Sequence, residues 1–237
     1  ISSKGINWIC DQLINIFKNK ELPDLLVLTK GLSIHNNQYE LLINKIKRLL
    51  EIKKIKLNNI SAIAGPCLAT GLANKINSSV VVASSKLDEA QKISNTLNNS
   101  YYHTTCSDDI IGVEVCAAIK NIFSMAVGAA KGLSAPDASD QIKDKNYFNT
   151  ASALITQSIY EMEIFVEHLN GKKQTVKGLS GLGDLYVSSA GGRNALMGSF
   201  LGEGLTFSEA KNSKMKEITV EGADLIKEIG KKVKEEF

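Results

Sequence analysis

The residues of this chain whose settings could do chemistry are a lysine inside an apolar helix, an arginine beside two glycines and a lysine ending a strand. The stretch from Asp109 to Lys131 has apolar or small residues on nearly every face, the pattern of a helix buried in a domain centre. Between its ends it carries only Glu114 and Lys120 as charges. They lie roughly 240° apart around a helix, so they do not pair on one face. Burial strips hydration from an ammonium, lowers its pKa and favours the neutral amine. That is the form in which a lysine takes up a proton near neutral pH. The same composition also fits a lysine whose stem is buried while its amine reaches water.

The second cluster is GLSGLGDLYVSSAGGRN, residues 178–194, with five glycines, a single acid in Asp184, and Arg193 with Asn194 after a Gly-Gly pair. Glycines permit tight turns and close backbone approach. The chain has 26 lysines and only two arginines, Arg48 and Arg193. An arginine kept in a Gly-rich loop points to a need for its planar fork, whose usual ligand is a phosphate or a carboxylate. A helix start with an exposed arginine is the plain alternative. Lys30 closes the strand-like DLLVLTK and precedes Gly31; a strand end suits a cleft but also an ordinary surface. AGPCLA, residues 64–69, follows a strand, and Pro66 can open a helix whose free N–H groups attract anions.

These residues need elements to position them. The first half alternates helix-like and strand-like stretches: INWICDQLINIF, DLLVLTK, QYELLINKIKRLL, SAIAG, a Pro66-led helix start, SSVVVAS, LDEAQKISNTL and YYHTTC. Leu41, Leu42, Ile46 and Leu49 give the QYELLINKIKRLL segment a helical apolar face. Strands alternating with helices predict a parallel-type sheet with helical crossovers, with ligands beyond the carboxyl ends of its strands. After about residue 107 the chain reads as helices joined by Gly-rich turns, with no further strand. The expected fold class is α/β: a sheet part, 1–107, followed by an all-helical part, 108–237, with a site in the cleft between them.

At 237 residues the chain can bury a large core, and its net charge of +3 is spread along it. No basic stripe marks a nucleic-acid partner. Cys10, Cys67, Cys106 and Cys116 lack metal-ligand spacing and read as buried free thiols of a reducing cytoplasm. His35, His103 and His168 offer no zinc-site pair. No uncharged apolar run approaches ~18 residues, so no membrane span is expected. The opening ISSKGINW and closing KEIGKKVKEEF read as the ends of a piece of a longer protein.

Taken in order, the motifs resemble the NAD(P)-dependent glycerol-3-phosphate dehydrogenase family. TKG at 29–31 is similar to its strand-end lysine motif, GPCLA at 65–69 to its GPxxA segment, and SDDIIGVEVCAAIKN at 107–121 to its TSDDxxGVExxGAxKN helix. GLSGLGDLYVSSAGGRN resembles its GLxGxGDLxxT…RN loop, and TVEG at 219–222 its VEG cofactor contact. The resemblance implies that the sheet part, 1–107, is a partial, split Rossmann-like dinucleotide-binding domain followed by a helical domain. It also implies a phosphate-bearing small substrate, NAD or NADP as cofactor, and a role in glycerophospholipid synthesis. It implies that Lys120 takes the proton of the C2 hydroxyl and that Lys30 holds the substrate oxygen near the cofactor. Asp184 then orients Lys120 and contacts substrate. Arg193 and Asn194 clamp the phosphate, with Asn121 nearby and backbone from Gly65 and Gly192. Lys30, Ala69, Arg193 and Glu221 touch the cofactor. A homodimer is left open.

Four positions depart from the family pattern: Cys67, Gly71, Gln157 and Ser189. No GxGxxG occurs; GLSGLG, the nearest, lies in the helical half. The family's first strand and its GxGxxG turn are therefore expected upstream of residue 1, and this chain alone is expected to bind dinucleotide poorly or not at all. Two other readings compete: a related hydroxyacid dehydrogenase acting on a carboxylate, and a non-catalytic remnant serving as a binding module.

Overall fold

The computed structural model describes residues 2–18, 21–134 and 147–237. Helix α1 (Ile6–Phe17) leads to strand β1 (Leu25–Val27), then to β2 (Leu32–His35) and β3 (Gln38–Leu41), and to α2 (Leu42–Ile52). Strand β4 (Ile60–Ala64), the short α3 (Ala69–Ala73), β5 (Ser78–Ala83), α4 (Leu87–Leu97) and β6 (Tyr102–Ser107) complete the sheet part. The rest is helical: α5 (Ile110–Ser134), α6 (Phe148–His168), α7 (Lys173–Val176), α8 (Asp184–Gly191), α9 (Arg193–Gly202), α10 (Phe207–Ser213) and α11 (Glu221–Glu236). Among the described residues no strand follows β6.

The main sheet has the order β1-β4-β5-β6. Its pairs β1–β4 and β5–β6 are parallel, but β4 and β5 run antiparallel. The expected parallel-type sheet is thus corrected to a mixed one. Its faces follow the strand period of two: Val81 and Ala83 join the large core with α2 and α5, while Val80 and Val82 pack with Ala90 of α4 on the other side.

A second correction concerns residues 38–41, expected as the start of a helix. They form the return strand of a hairpin with β2, Ile34 pairing with Tyr39. Asn36 and Asn37 turn the corner with φ of 49° and 58°, the left-handed pair that a tight hairpin turn requires and that asparagine tolerates. Helix α2 starts only at Leu42; Leu50 is fully buried, while Leu49, expected on the core face, is only partly so. Pro66 does not open a helix either, since α3 begins at Ala69 behind Leu68.

Helix α5 is the centre of the molecule. By length and composition it could cross a membrane, but 67% of its most apolar window is packed inside the molecule, so it serves as a core helix. It runs alongside α9 in the same direction with almost no space between them. A Cβ on Gly128 or Gly132 would stand 2.0 Å from the carbonyl oxygens of Ala195 and Ser199, and one on Gly198 would stand 1.9 Å from that of Met125. Only glycine permits this approach, which sets the first turn of α9 beside Asn121 of α5.

Both internal charges of α5 are buried, Glu114 5% and Lys120 4% exposed. The Ile43 N–H, in the first turn of α2, donates to Glu114 Oε2 at 3.5 Å, so this carboxyl caps a helix of the sheet part. Burial pushes the Glu114 pKa up to about 8, against the lowering effects of that N–H and of Lys47. A carboxyl with a raised folded-state pKa binds more protons folded than unfolded. Its contribution is present below the ordinary carboxylate range and lost as pH rises through about 8. Urea denaturation should therefore show the wild type losing stability between pH 5 and 8 relative to Glu114→Gln. Parallel pH dependences in the two proteins would contradict this origin.

Candidate active site

Four elements meet at the carboxyl ends of β1 and β4. Lys30 stands just past β1, and Cys67, Leu68 and Ala69 follow β4. Helix α5 brings Lys120 and Asn121, ten residues and about 15 Å from its start. The loop at 178–194 supplies the fourth wall. There a π-type turn, Leu179–Gly183, delivers Asp184 as the first residue of α8, and Gly192 caps α9 so that Arg193 and Asn194 form its first turn. π-Turns inside helical segments often mark functional positions.

The resulting cleft is about 510 Å³, within the range of small-ligand sites. It is lined by Lys30, Ala69, Lys120, Asn121, Asp184, Gly192, Arg193, Asn194 and Glu221. Nine of the ten residues expected to form a site are therefore brought together. Gly65 is the exception: it is not among the lining residues. Its φ of +143° and the 2.9 Å that a Cβ would leave to Val80 Cα fit it to the close approach of the chain leaving β4 to its neighbour β5.

Asp184 is the hub. Its Oδ2 accepts from Lys30 Nζ at 2.5 Å and its Oδ1 from Lys120 Nζ at 2.9 Å. Lys120 Nζ also donates to Ser188 Oγ, which in turn donates to Asp184 Oδ1 at 3.3 Å. Lys120 and Asp184 are almost fully buried, whereas Lys30 keeps 30% of its side chain in contact with solvent. Burial lowers the Lys120 pKa to about 8; the Asp184 carboxylate opposes that fall and the Lys30 ammonium adds to it. The amine does not reach water through its stem. It is buried within reach of a partner acid, and its neutral form is accessible near physiological pH.

At the other end of the cleft Arg193 Nη2 donates to Glu221 Oε1. Asn194 Nδ2 donates to Asn121 Oδ1 at 3.0 Å, and its Oδ1 accepts the Gly222 N–H at 2.8 Å. The arrangement offers a proton-transfer amine at one end. At the other it offers a cationic fork with helix-start N–H groups, a suitable place for an anion.

Ser188 was not foreseen from the sequence, although it lies one helical turn after Asp184 and so on the same face. Leu28, Thr29, Val187 and Gly191 also line the cleft unforeseen. Of the four departures, only Cys67 lines it; Gln157 is exposed on α6 and donates to Glu161 Oε1 at 2.9 Å. The Ser189 hydroxyl is buried without a hydrogen-bond partner. All four cysteines are free thiols, but only Cys10 and Cys116 are fully buried, which corrects the expectation for Cys67 and Cys106. Among the described residues no cluster of His, Cys, Asp and Glu could hold a metal.

A family model described as the NAD-dependent glycerol-3-phosphate dehydrogenase C-terminus matches residues 109–236. Two curated relatives are similar over 89% of this chain. One is the NADP(+)-dependent glycerol-3-phosphate dehydrogenase of Archaeoglobus fulgidus, 29% identical over 210 residues. The other is a glycerol-3-phosphate dehydrogenase [NAD(P)+] of Clostridium botulinum, 32% identical over 213 residues. The chain spans 59% and 58% of their lengths. The crystal structure of glycerol-3-phosphate dehydrogenase from Coxiella burnetii superposes with a TM-score of 0.80 at 26% identity, over 99% of this chain and 66% of that one.

Proposed function

This chain belongs to the NAD-dependent glycerol-3-phosphate dehydrogenase family, and we propose that it carries the substrate-binding and proton-transfer machinery of an NAD(P)-dependent oxidoreductase. The reaction proposed is the interconversion of sn-glycerol 3-phosphate and dihydroxyacetone phosphate, serving glycerophospholipid synthesis. Residues 1–107 are read as part of the dinucleotide-binding unit and 108–237 as the catalytic helical domain. The free thiols fit a reducing cytoplasm.

The observation that carries this reading is the joint Lys30–Asp184–Lys120 cluster at one end of a cleft whose other end holds Arg193 and Asn194. In the oxidation direction the neutral Lys120 amine accepts the proton of the C2 hydroxyl. Lys30 donates a hydrogen bond to the same substrate oxygen, and Asp184 holds the two amines in place. Ser188 keeps Lys120 Nζ aimed. The phosphate lies against the Arg193 fork, the Asn194 amide and the N–H groups at the start of α9, with Gly192 allowing close approach. Lys30, Ala69, Arg193 and Glu221 share this cleft, and such a set of cations, backbone and carboxylate suits the phosphates and hydroxyls of a dinucleotide. A bound nicotinamide supplies the hydride acceptor.

The test assays the protein with glycerol 3-phosphate and with NAD and NADP in turn. Arg193→Ala should raise the KM for glycerol 3-phosphate by ~10–100-fold, the worth of a hydrogen bond to a charged group. At saturating NAD(P), which offsets any lost cofactor contact, it should lower the weak turnover of unphosphorylated glycerol far less. Equal losses on both substrates would contradict the phosphate clamp.

A further inference from the structure

Glu221 engages both side chains assigned to the phosphate. Its Oε1 accepts from Arg193 Nη2, and its Oε2 accepts from Asn194 Nδ2 at 3.5 Å. Glu221 opens α11 as Arg193 opens α9, so two helix starts face one carboxylate, the anion that both electropositive ends favour. The pair is not sealed in the core. The Arg193 side chain is 58% exposed and that of Glu221 28%, which leaves both within reach of an incoming ligand. Asn194, by contrast, is anchored independently of Glu221 by Asn121 and by the Gly222 N–H.

We propose that Glu221 is an internal competitor for the phosphate clamp. Its carboxylate holds the donors of Arg193 and Asn194, and a phosphate monoester binds by displacing it. This rests on the phosphate-clamp reading above. A carboxylate and a phosphate are alternative acceptors for the Arg193 edge and the Asn194 amide that Glu221 now engages, and repulsion between the two anions keeps them from sharing those donors. Because Asn194 keeps its other anchors, the clamp stays formed after the exchange. The displaced carboxylate then lies beside a phosphate dianion, and like-charge repulsion weakens binding and favours release. Glu221 thereby sets the affinity of the clamp without building it.

The probe is inorganic phosphate, titrated at constant ionic strength and followed through the amide signals of Gly192, Arg193 and Asn194 by NMR. Glu221→Gln and Glu221→Ala should each bind phosphate about three- to five-fold more tightly than wild type, the scale of an exposed ion pair. Asp224→Asn removes a charge from the same turn of α11 without touching Arg193, and should change the affinity less than about two-fold. Saturable binding with equal affinity in wild type and both Glu221 variants would overturn the competitor role and leave the clamp standing. An equal gain in Asp224→Asn would also overturn it, by showing a general field effect. Absence of saturable binding in every protein would overturn both the clamp and the inference.

Discussion

Lys120→Ala is expected to lower kcat/KM for the proposed glycerol 3-phosphate oxidation by ~10²–10⁴-fold, the usual worth of a positioned general base. The KM should move little, because the phosphate contacts proposed for Arg193 and Asn194 remain. The fold should survive, since Asp184 stays paired with Lys30. The pH profile carries further information. A base must be neutral to accept a proton, so wild-type oxidation should rise with pH and level off above about 8, where burial has brought the Lys120 pKa. The reduction of dihydroxyacetone phosphate needs the protonated amine and should fall over the same range. A variant that keeps more than about a tenth of the wild-type rate would contradict the assignment.

Asp184→Asn is expected to cost about 3 kcal/mol of stability, because the buried Lys120 then loses either its counter-charge or its proton. The loss falls toward the lower end for such pairs because Lys30 retains solvent contact that screens it. The same change removes the one influence that holds the Lys120 pKa up, while Lys30 and burial still push it down. The midpoint of the pH–rate profile should therefore move to lower pH, and residual turnover should be slow because Lys120 has lost its orienting partner. Urea denaturation and the pH profile check the two parts separately. An Asp184→Asn protein as stable as wild type, with an unmoved midpoint, would show that the carboxylate does not govern these amines.

Much of this was legible in the residues themselves. Apolar runs defined α5 and the strands β4 and β5, because both faces of each bury side chains, and one-sided apolar spacing defined α6. A lysine in the middle of such a helix and an arginine kept by a lysine-rich chain identified the two ends of the cleft. Other features depend on partners distant in sequence. The antiparallel pairing of β4 with β5 is set by where the chain returns, which the apolar runs do not encode. The hairpin at 32–41 was signalled by Asn36-Asn37, but the helical spacing of the leucines that follow outweighed it. Glycines at 128 and 132, and at 198 and 202, repeat every four residues on two helices; only their mutual packing reveals why. Ser188 gains its role from a lysine 68 positions away.

The proposed role of Lys120 as a buried amine poised for proton transfer is tested most directly by its own titration. With ¹⁵N-labelled lysine the side-chain amine of Lys120 can be followed by NMR in this chain, using Lys120→Met to assign the signal. A pKa of about 8 is expected, well below the ~10.4 of an ordinary lysine. A Lys120 signal that titrates together with the surface lysines would contradict the assignment.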